Sequence, residues 1–147
     1  MPAPQPIVRP VPSASFRRGP LWHLWRVVLG YMPGFTDETC TRVGWYKGTH
    51  RGVQYLSKLD IPKKQKRDIF HPKWTMRLNA DFAGVLEGCA DVSGRRDQKT
   101  WCTPELCQAM IRLHRLGYAY SYETWLDGKL AGGIWGIQLG GFISILS

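Results

Sequence analysis

The dipeptide Asp127-Gly128 constrains this chain more than any other pair of residues, because it is the favoured two-residue turn of a β-hairpin and both flanks can pair across it. Before it, Tyr118 to Leu126 places Tyr118, Tyr120, Tyr122, Thr124 and Leu126 on one side of a strand, and Ala119, Ser121, Glu123 and Trp125 on the other. After it, Lys129 to Leu139 carries Gly132, Gly133 and Gly136 where a strand normally has side chains. Glycine weakens a strand, so these positions predict a bulge, tight packing, or a ligand approaching the backbone. Upstream, Thr103-Pro104-Glu105 is a helix start: a threonine cap, a proline in the first turn, an acid near the positive end of the dipole. Leu106, Ala109, Met110, Leu113 and Leu116 line one face of that helix, with His114 beside them in a structural or exposed role, and Gly117 supplies the left-handed stop.

The residues before this stretch read less sharply. Met1 to Pro20 is rich in proline, carries three arginines and no acid, and so predicts a disordered leader; an organelle transit segment is the alternative. Leu21, Leu24, Trp25 and Val28 recur at helical spacing, which predicts an amphipathic helix over 21–32 ended by Pro33-Gly34. Val43 to Tyr46 and Val53 to Leu56 resemble two short strands around a loop. Pro62 opens a short helix through Phe70 whose Lys63, Lys64, Lys66 and Arg67 spread over more than one face, leaving Ile69 and Phe70 to anchor it. Trp74 to Asn79 alternates as a half-buried strand, and Asn79 or Asp81 can cap the helix that follows. In that helix Phe82, Val85, Leu86 and Cys89 form a core-facing stripe, which makes Cys89 a buried apolar group rather than a nucleophile. The polar stretch Asp91 to Lys99, with Gly94, is a loop.

Charge separates the two halves. The chain carries a net +9, and residues 1–75 hold 13 Lys and Arg against 4 acids, whereas residues 76–147 hold 7 against 7. The surplus is suited to a polyanion, nucleic acid or an anionic membrane surface; a solubilising surface is the plain alternative. Four cations in the five residues 63–67 can neutralise several phosphates at once, giving salt-sensitive binding that is indifferent to sequence. No run approaches the roughly eighteen apolar residues of a membrane span. Cys40, Cys89, Cys102 and Cys107 show neither CxxC spacing nor the density of a disulfide framework, and predict free thiols in a reducing compartment.

Four segments together carry a family resemblance: NADFAGVLEGCAD (79–91), TWCTPEL (100–106), LHRLGYAYSYETW (113–125) and LAGGIWGIQLGG (130–141). From about Gly44 to Gly141 the chain resembles leucyl/phenylalanyl-tRNA-protein transferases, in the forms that have tyrosines where many members have histidines in the YAYS segment. The resemblance implies a cytoplasmic aminoacyltransferase that moves leucine or phenylalanine from its tRNA to the amino-terminal Arg or Lys of a protein, marking it for degradation. It implies an α+β fold similar to acyl-CoA N-acyltransferases, an antiparallel sheet with packed helices. By that likeness residues 1–20 are the leader, 21–73 a small basic amino-terminal region, and 74–147 an acyltransferase-like domain with its carboxy-terminal part missing. Neither metal, CoA nor membrane is implied as a cofactor or partner.

By position, Trp101 matches a family tryptophan near the terminal adenosine of the tRNA, where an indole can stack on a base. Met110 stands where the family often has a tyrosine near the site, and Ile134 where it often has a methionine in the aminoacyl pocket. Both keep that pocket apolar for a leucine or phenylalanine side chain. Lys63, Lys64, Lys66 and Arg67 fall in the helix that contacts the tRNA acceptor stem. In the family the glycine pair continues into a GESMF-type segment, and a later strand carries an Asp-x-Gln-like pair that orients the attacking amine and the ester. Here Gly140-Gly141 is followed by FISILS, so no general base is assigned, and a catalytically inactive tRNA-binding form is the alternative reading. FISIL is then expected to be an apolar sheet edge open to pairing. YMPGFTDETC is also shorter than the family's aromatic pocket loop.

Overall fold

In the computed structural model, which describes residues 18–37, 39–48, 50–91 and 99–147, the hairpin forms as its turn chemistry dictates. Asp127 and Gly128 have φ of 50° and 76°, the two positive values that a type I′ turn requires. They join β4 (Ala119–Leu126) to β5 (Lys129–Leu139). With β3 (Trp74–Leu78) and β6 (Phe142–Ile145) these strands make an antiparallel sheet in the order β3-β4-β5-β6. The register of β4 on β5 shifts between Thr124 and Trp125, leaving Ala131 between paired residues as a bulge. The other glycines answer to packing. A Cβ on Gly133 would lie 2.7 Å from a Val85 methyl, and one on Gly136 would strike the Ser144 carbonyl of the neighbouring strand.

Two helices cover one face of this sheet. The α3 helix (Phe82–Ala90) is capped by Asp81, whose Oδ1 accepts the Gly84 N–H at 2.9 Å, and it buries Phe82, Val85 and Leu86; Cys89 is half-buried. The α4 helix (Pro104–Arg115) starts on Thr103, whose hydroxyl accepts the Leu106 N–H at 3.3 Å. Leu106, Ala109, Met110 and Leu113 are sealed beneath it, and Gly117 at φ 78° turns the chain out. Leu116 departs from the expected stripe and is exposed, because the helix has closed at Arg115.

The amino-terminal elements are where sequence periodicity misleads. The α1 helix (Pro20–Val28) opens at a residue assigned to the leader and stops before 32. Pro33-Gly34 lies inside β1 (Tyr31–Phe35), which pairs with β2 (Val43–Lys47) in a separate two-stranded sheet, where a proline at an edge forfeits no interior ladder bond. Of the expected stripe only Leu24 packs against the core; Leu21, Trp25 and Val28 are each more than half exposed, and His23 and Val27 are buried instead. His23 stacks on the sealed Trp45 of β2 with ring centroids 5.7 Å apart, and Trp22 meets the same indole edge-on at 6.0 Å. Aromatic contact with β2 has outweighed the burial of an aliphatic stripe. One hydrophobic cluster contains Val27 and Trp45 together with the cores of α3, α4 and the sheet.

Residues 53–55 form no strand, and a short 3-10 turn follows at Leu56–Lys58. The α2 helix (Lys63–Ile69) buries no residue; Ile69 and Phe70 are exposed rather than anchoring it. The leader up to residue 17 and residues 92–98 of the Asp91 to Lys99 loop lie outside the described residues. No disulfide joins the four cysteines among the described residues.

Candidate functional site

Strand alternation decides what faces the helices. In β4 it turns Ala119, Ser121 and Glu123 inward, and in β5 Trp135 and Ile137. Glu123 is therefore a carboxylate with no exposed surface, directly opposite Gly133. Its Oε1 accepts the Asp81 N–H at 2.8 Å and the Ser121 hydroxyl at 2.7 Å; its Oε2 accepts the Ala80 N–H at 3.2 Å and the Trp125 indole N–H at 3.0 Å. The turn that supplies the two backbone donors is itself clamped to β4. Asn79, at φ 55°, donates its N–H to the Ser121 carbonyl at 3.0 Å and accepts the Ser121 N–H on its side chain at 2.9 Å.

Burial alone pushes the Glu123 carboxyl upward, but the Asp81 N–H, the Ser121 hydroxyl, the Trp125 indole and the Ala80 N–H together outweigh it and hold the group below the ordinary glutamate range. It is ionised at neutral pH, and each oxygen already takes two hydrogen bonds. Such a group orients the start of α3 and is poorly placed to accept a substrate proton.

Next along the same face stand two indoles. Trp101 is half-buried and tilts 44° against the sealed Trp135, centroids 5.9 Å apart. Its place is set by the turn into α4: the Thr103 N–H donates to the Trp101 carbonyl at 2.9 Å, and the Cys102 N–H to the Thr100 hydroxyl at 3.1 Å. The Trp135 indole N–H is buried and has no acceptor among the described residues. At the β6 end, Arg51 donates to the Ser144 hydroxyl at 3.0 Å, tying the segment after β2 to the sheet.

The residues singled out in the sequence do not converge on one pocket. Met110 is sealed in the α4 core. Ile134 alternates with Trp135 and so lies on the other face of the sheet, in a row with Leu78 and Tyr122. Only Trp101 both reaches the helix-covered face and keeps accessible surface. Lys63, Lys64, Lys66 and Arg67 are exposed together on α2, and the contact of Arg67 with Asp68, 3.8 Å between two exposed side chains, leaves the field positive. Neither Cys107 nor His114 offers a reactive group. Burial, then the neighbouring Cys89, pushes the Cys107 thiol up, and His114 lies flat on Phe82 with Nδ1 2.8 Å from the Ala119 carbonyl oxygen.

Glu123 and Arg51 join the site without a motif to mark them. The signal for Glu123 was the alternation itself, which set an acid in line with Ser121 and Trp125. Nothing local marks Arg51, whose partner is 93 residues away.

These features define an α+β protein with an ionised carboxylate and paired indoles on the helix-covered face of an antiparallel sheet, and a cationic helix on its surface. The sequence pattern of leucyl/phenylalanyl-tRNA protein transferases matches residues 53–147, and the chain belongs to that family. Among its relatives, a leucyl/phenylalanyl-tRNA–protein transferase of Burkholderia thailandensis is 46% identical over 116 residues, covering 76% of this chain and 45% of the relative. One from Aromatoleum aromaticum is 36% identical over 128 residues, 87% of this chain and 53% of its own length, and one from Solidesulfovibrio magneticus is 35% identical over 111 residues, 76% and 44%. The chain thus spans about half the length of the curated relatives it matches.

Proposed function

We propose that this protein is an aminoacyltransferase of the cytoplasm that takes leucine or phenylalanine from aminoacyl-tRNA and passes it to the amino-terminal Arg or Lys of proteins, marking them for degradation. The observation that carries the reading is the family match, whose 95-residue stretch contains both the cationic α2 helix and the whole Glu123 cradle. In this reading residues 21–73 are a small basic amino-terminal region and 74–147 an acyltransferase-like domain. Lys63, Lys64, Lys66 and Arg67 neutralise acceptor-stem phosphates, and Trp101 stacks on the terminal adenosine. Ile134 offers an apolar contact to the aminoacyl side chain, and Met110 keeps the shape of the α4 core. Trp101 and Ile134 lie on opposite sheet faces, so a single aminoacyl-adenosine meets one or the other in this arrangement. Transfer from an activated ester then depends on placing the amine against the carbonyl.

A second reading, tRNA binding without transfer, is favoured by one observation: both oxygens of Glu123 are filled by structural donors, so this buried acid is not free to receive the proton of an attacking amine. Transfer of labelled leucine to a peptide with amino-terminal arginine separates the two. Robust turnover supports the transferase and ends the second reading; tRNA binding without turnover does the reverse. In either case, replacing Lys63, Lys64, Lys66 and Arg67 by glutamine should weaken tRNA binding and lower its salt dependence by about three to four in the log–log slope. Salt-independent binding, or none, would remove the RNA role altogether.

A further inference from the structure

Arg18, Trp22, Arg26, Tyr31 and Lys47 alternate cation and ring along one flank of the amino-terminal region. The Arg18 guanidinium carbon lies 5.4 Å from the Trp22 ring centroid, that of Arg26 lies 4.6 Å from Trp22 and 4.9 Å from Tyr31, and the Lys47 ammonium 5.8 Å from Tyr31. Three local geometries build the row. Trp22 and Arg26 are one helical turn apart on α1, Arg18 lies just before the extended Gly19 that caps α1, and Tyr31 and Lys47 are partners across the β1–β2 ladder. The rings are held from behind: Trp22 packs edge-on against the sealed Trp45, and both Trp22 and Tyr31 border the hydrophobic core. Among the described residues no carboxylate lies within ion-pair distance of these three cations. The whole row precedes residues 53–147, the stretch that matches the family pattern.

We propose that this cation–ring ladder is a second RNA-binding surface, one that grips a sugar–phosphate backbone independently of α2. A guanidinium lying on a ring is already oriented and partly desolvated, while its N–H edge stays free for a phosphate. Cations alternating with half-buried rings are the combination by which proteins track a nucleic-acid strand without reading its sequence. An anionic membrane would instead draw on the adjacent exposed stripe of Leu21, Trp25, Val28 and Leu29, which carries no charge. The inference rests on the reading that the chain meets tRNA, but uses residues that reading does not.

The test compares the full chain with Arg18→Gln/Arg26→Gln/Lys47→Gln, with the α2 glutamine variant and with the two combined, using uncharged tRNA and oligouridylate as probes over a salt series. The double variant Arg18→Gln/Lys47→Gln, at two exposed positions, serves if the triple variant is unstable. The expected result is weaker binding with a log–log salt slope lower by about two to three for the triple variant, about one to two for the double, and further loss when combined with the α2 changes. Unchanged affinity and slope in a ladder variant that still binds tRNA through α2 would overturn this inference and leave the proposed function standing. Loss from the ladder variants but not from the α2 variant would support the ladder and count against the role assigned to α2. Ladder-dependent binding to phosphatidylserine vesicles, with RNA binding intact, would overturn it in favour of a membrane.

Discussion

Replacing Glu123 by glutamine is the sharpest probe of the buried cradle. The carboxylate holds two donors on each oxygen. An amide keeps one accepting oxygen and presents an NH2 group where the other stood, so one pair of donors loses its acceptor. If the NH2 faces Asp81 and Ser121, the serine hydroxyl can rotate to accept from it, but the Asp81 N–H is left against another donor. If it faces Ala80 and Trp125, a backbone N–H and an indole N–H are both stranded. Hydrogen bonds to a charged group contribute about 1.5–3 kcal/mol each, and an amide is cheaper to bury than a carboxylate, which offsets part of the loss. A net destabilisation of about 2–4 kcal/mol follows, equal to a fall of about 1–2 M in the urea midpoint for a slope near 2 kcal/mol/M. Tryptophan emission during urea unfolding reads this directly, since Trp125 and Trp135 both lie at the site. Glu123→Ala strands all four donors and should cost more than the glutamine. A midpoint shift below about 0.5 M for the glutamine variant, or an alanine variant milder than the glutamine, would refute the claim that the four hydrogen bonds hold this turn.

Two further outcomes bear on the same architecture. Because the folded Glu123 titrates below its ordinary value, its stabilisation is full above about pH 4.3 and is lost as pH falls through the folded value. Asp37, held low first by the Thr39 hydroxyl, then by the Thr41 hydroxyl and the Arg42 N–H, loses its contribution in the same direction. Unfolding midpoints should therefore fall on acidification below about pH 4, less steeply in Glu123→Gln, and least in its double with Asp37→Asn; a wild-type midpoint that rises on acidification would contradict this. Gly136→Ala forces a Cβ into the backbone of Ser144, with the Ile145 Cα only 3.1 Å away, and should cost about 1–3 kcal/mol with faster amide exchange in β6, whereas Gly132→Ala enters open space. Equal stability of the two variants would show that β5 and β6 are not packed as described.

Where a structural decision is made by neighbours in the chain, the sequence was a sufficient guide. Asp127-Gly128 sets its turn because two positive φ values are needed within two residues. Thr103 and Asp81 cap helices through bonds only three residues long, and Gly117 ends α4 in the same local way. The α+β class, the hairpin and the helix-capping threonine beside Trp101 were all legible for that reason. The cationic character of α2 was legible as composition; that the helix buries nothing was not.

Contacts between distant residues decided the rest. Which face of α1 packs depended on Trp45, more than twenty residues on, whose ring draws His23 inward and leaves Leu21, Trp25 and Val28 in solvent. Pro33-Gly34 reads as a stop in isolation and lies within a strand because β2 supplies a partner. Trp101 and Ile134, to which the resemblance assigns the terminal adenosine and the aminoacyl pocket, fall on opposite sheet faces because the adjacent Ile134 and Trp135 point to opposite sides of the strand. The charge state of Glu123 needs, beside the local Ser121 and Trp125, donors more than forty residues before it, at Ala80 and Asp81. Caps and turns close over a few bonds and are written in the residues that make them; burial, ring stacking and the satisfaction of a sealed carboxylate need partners that only the folded chain brings within reach.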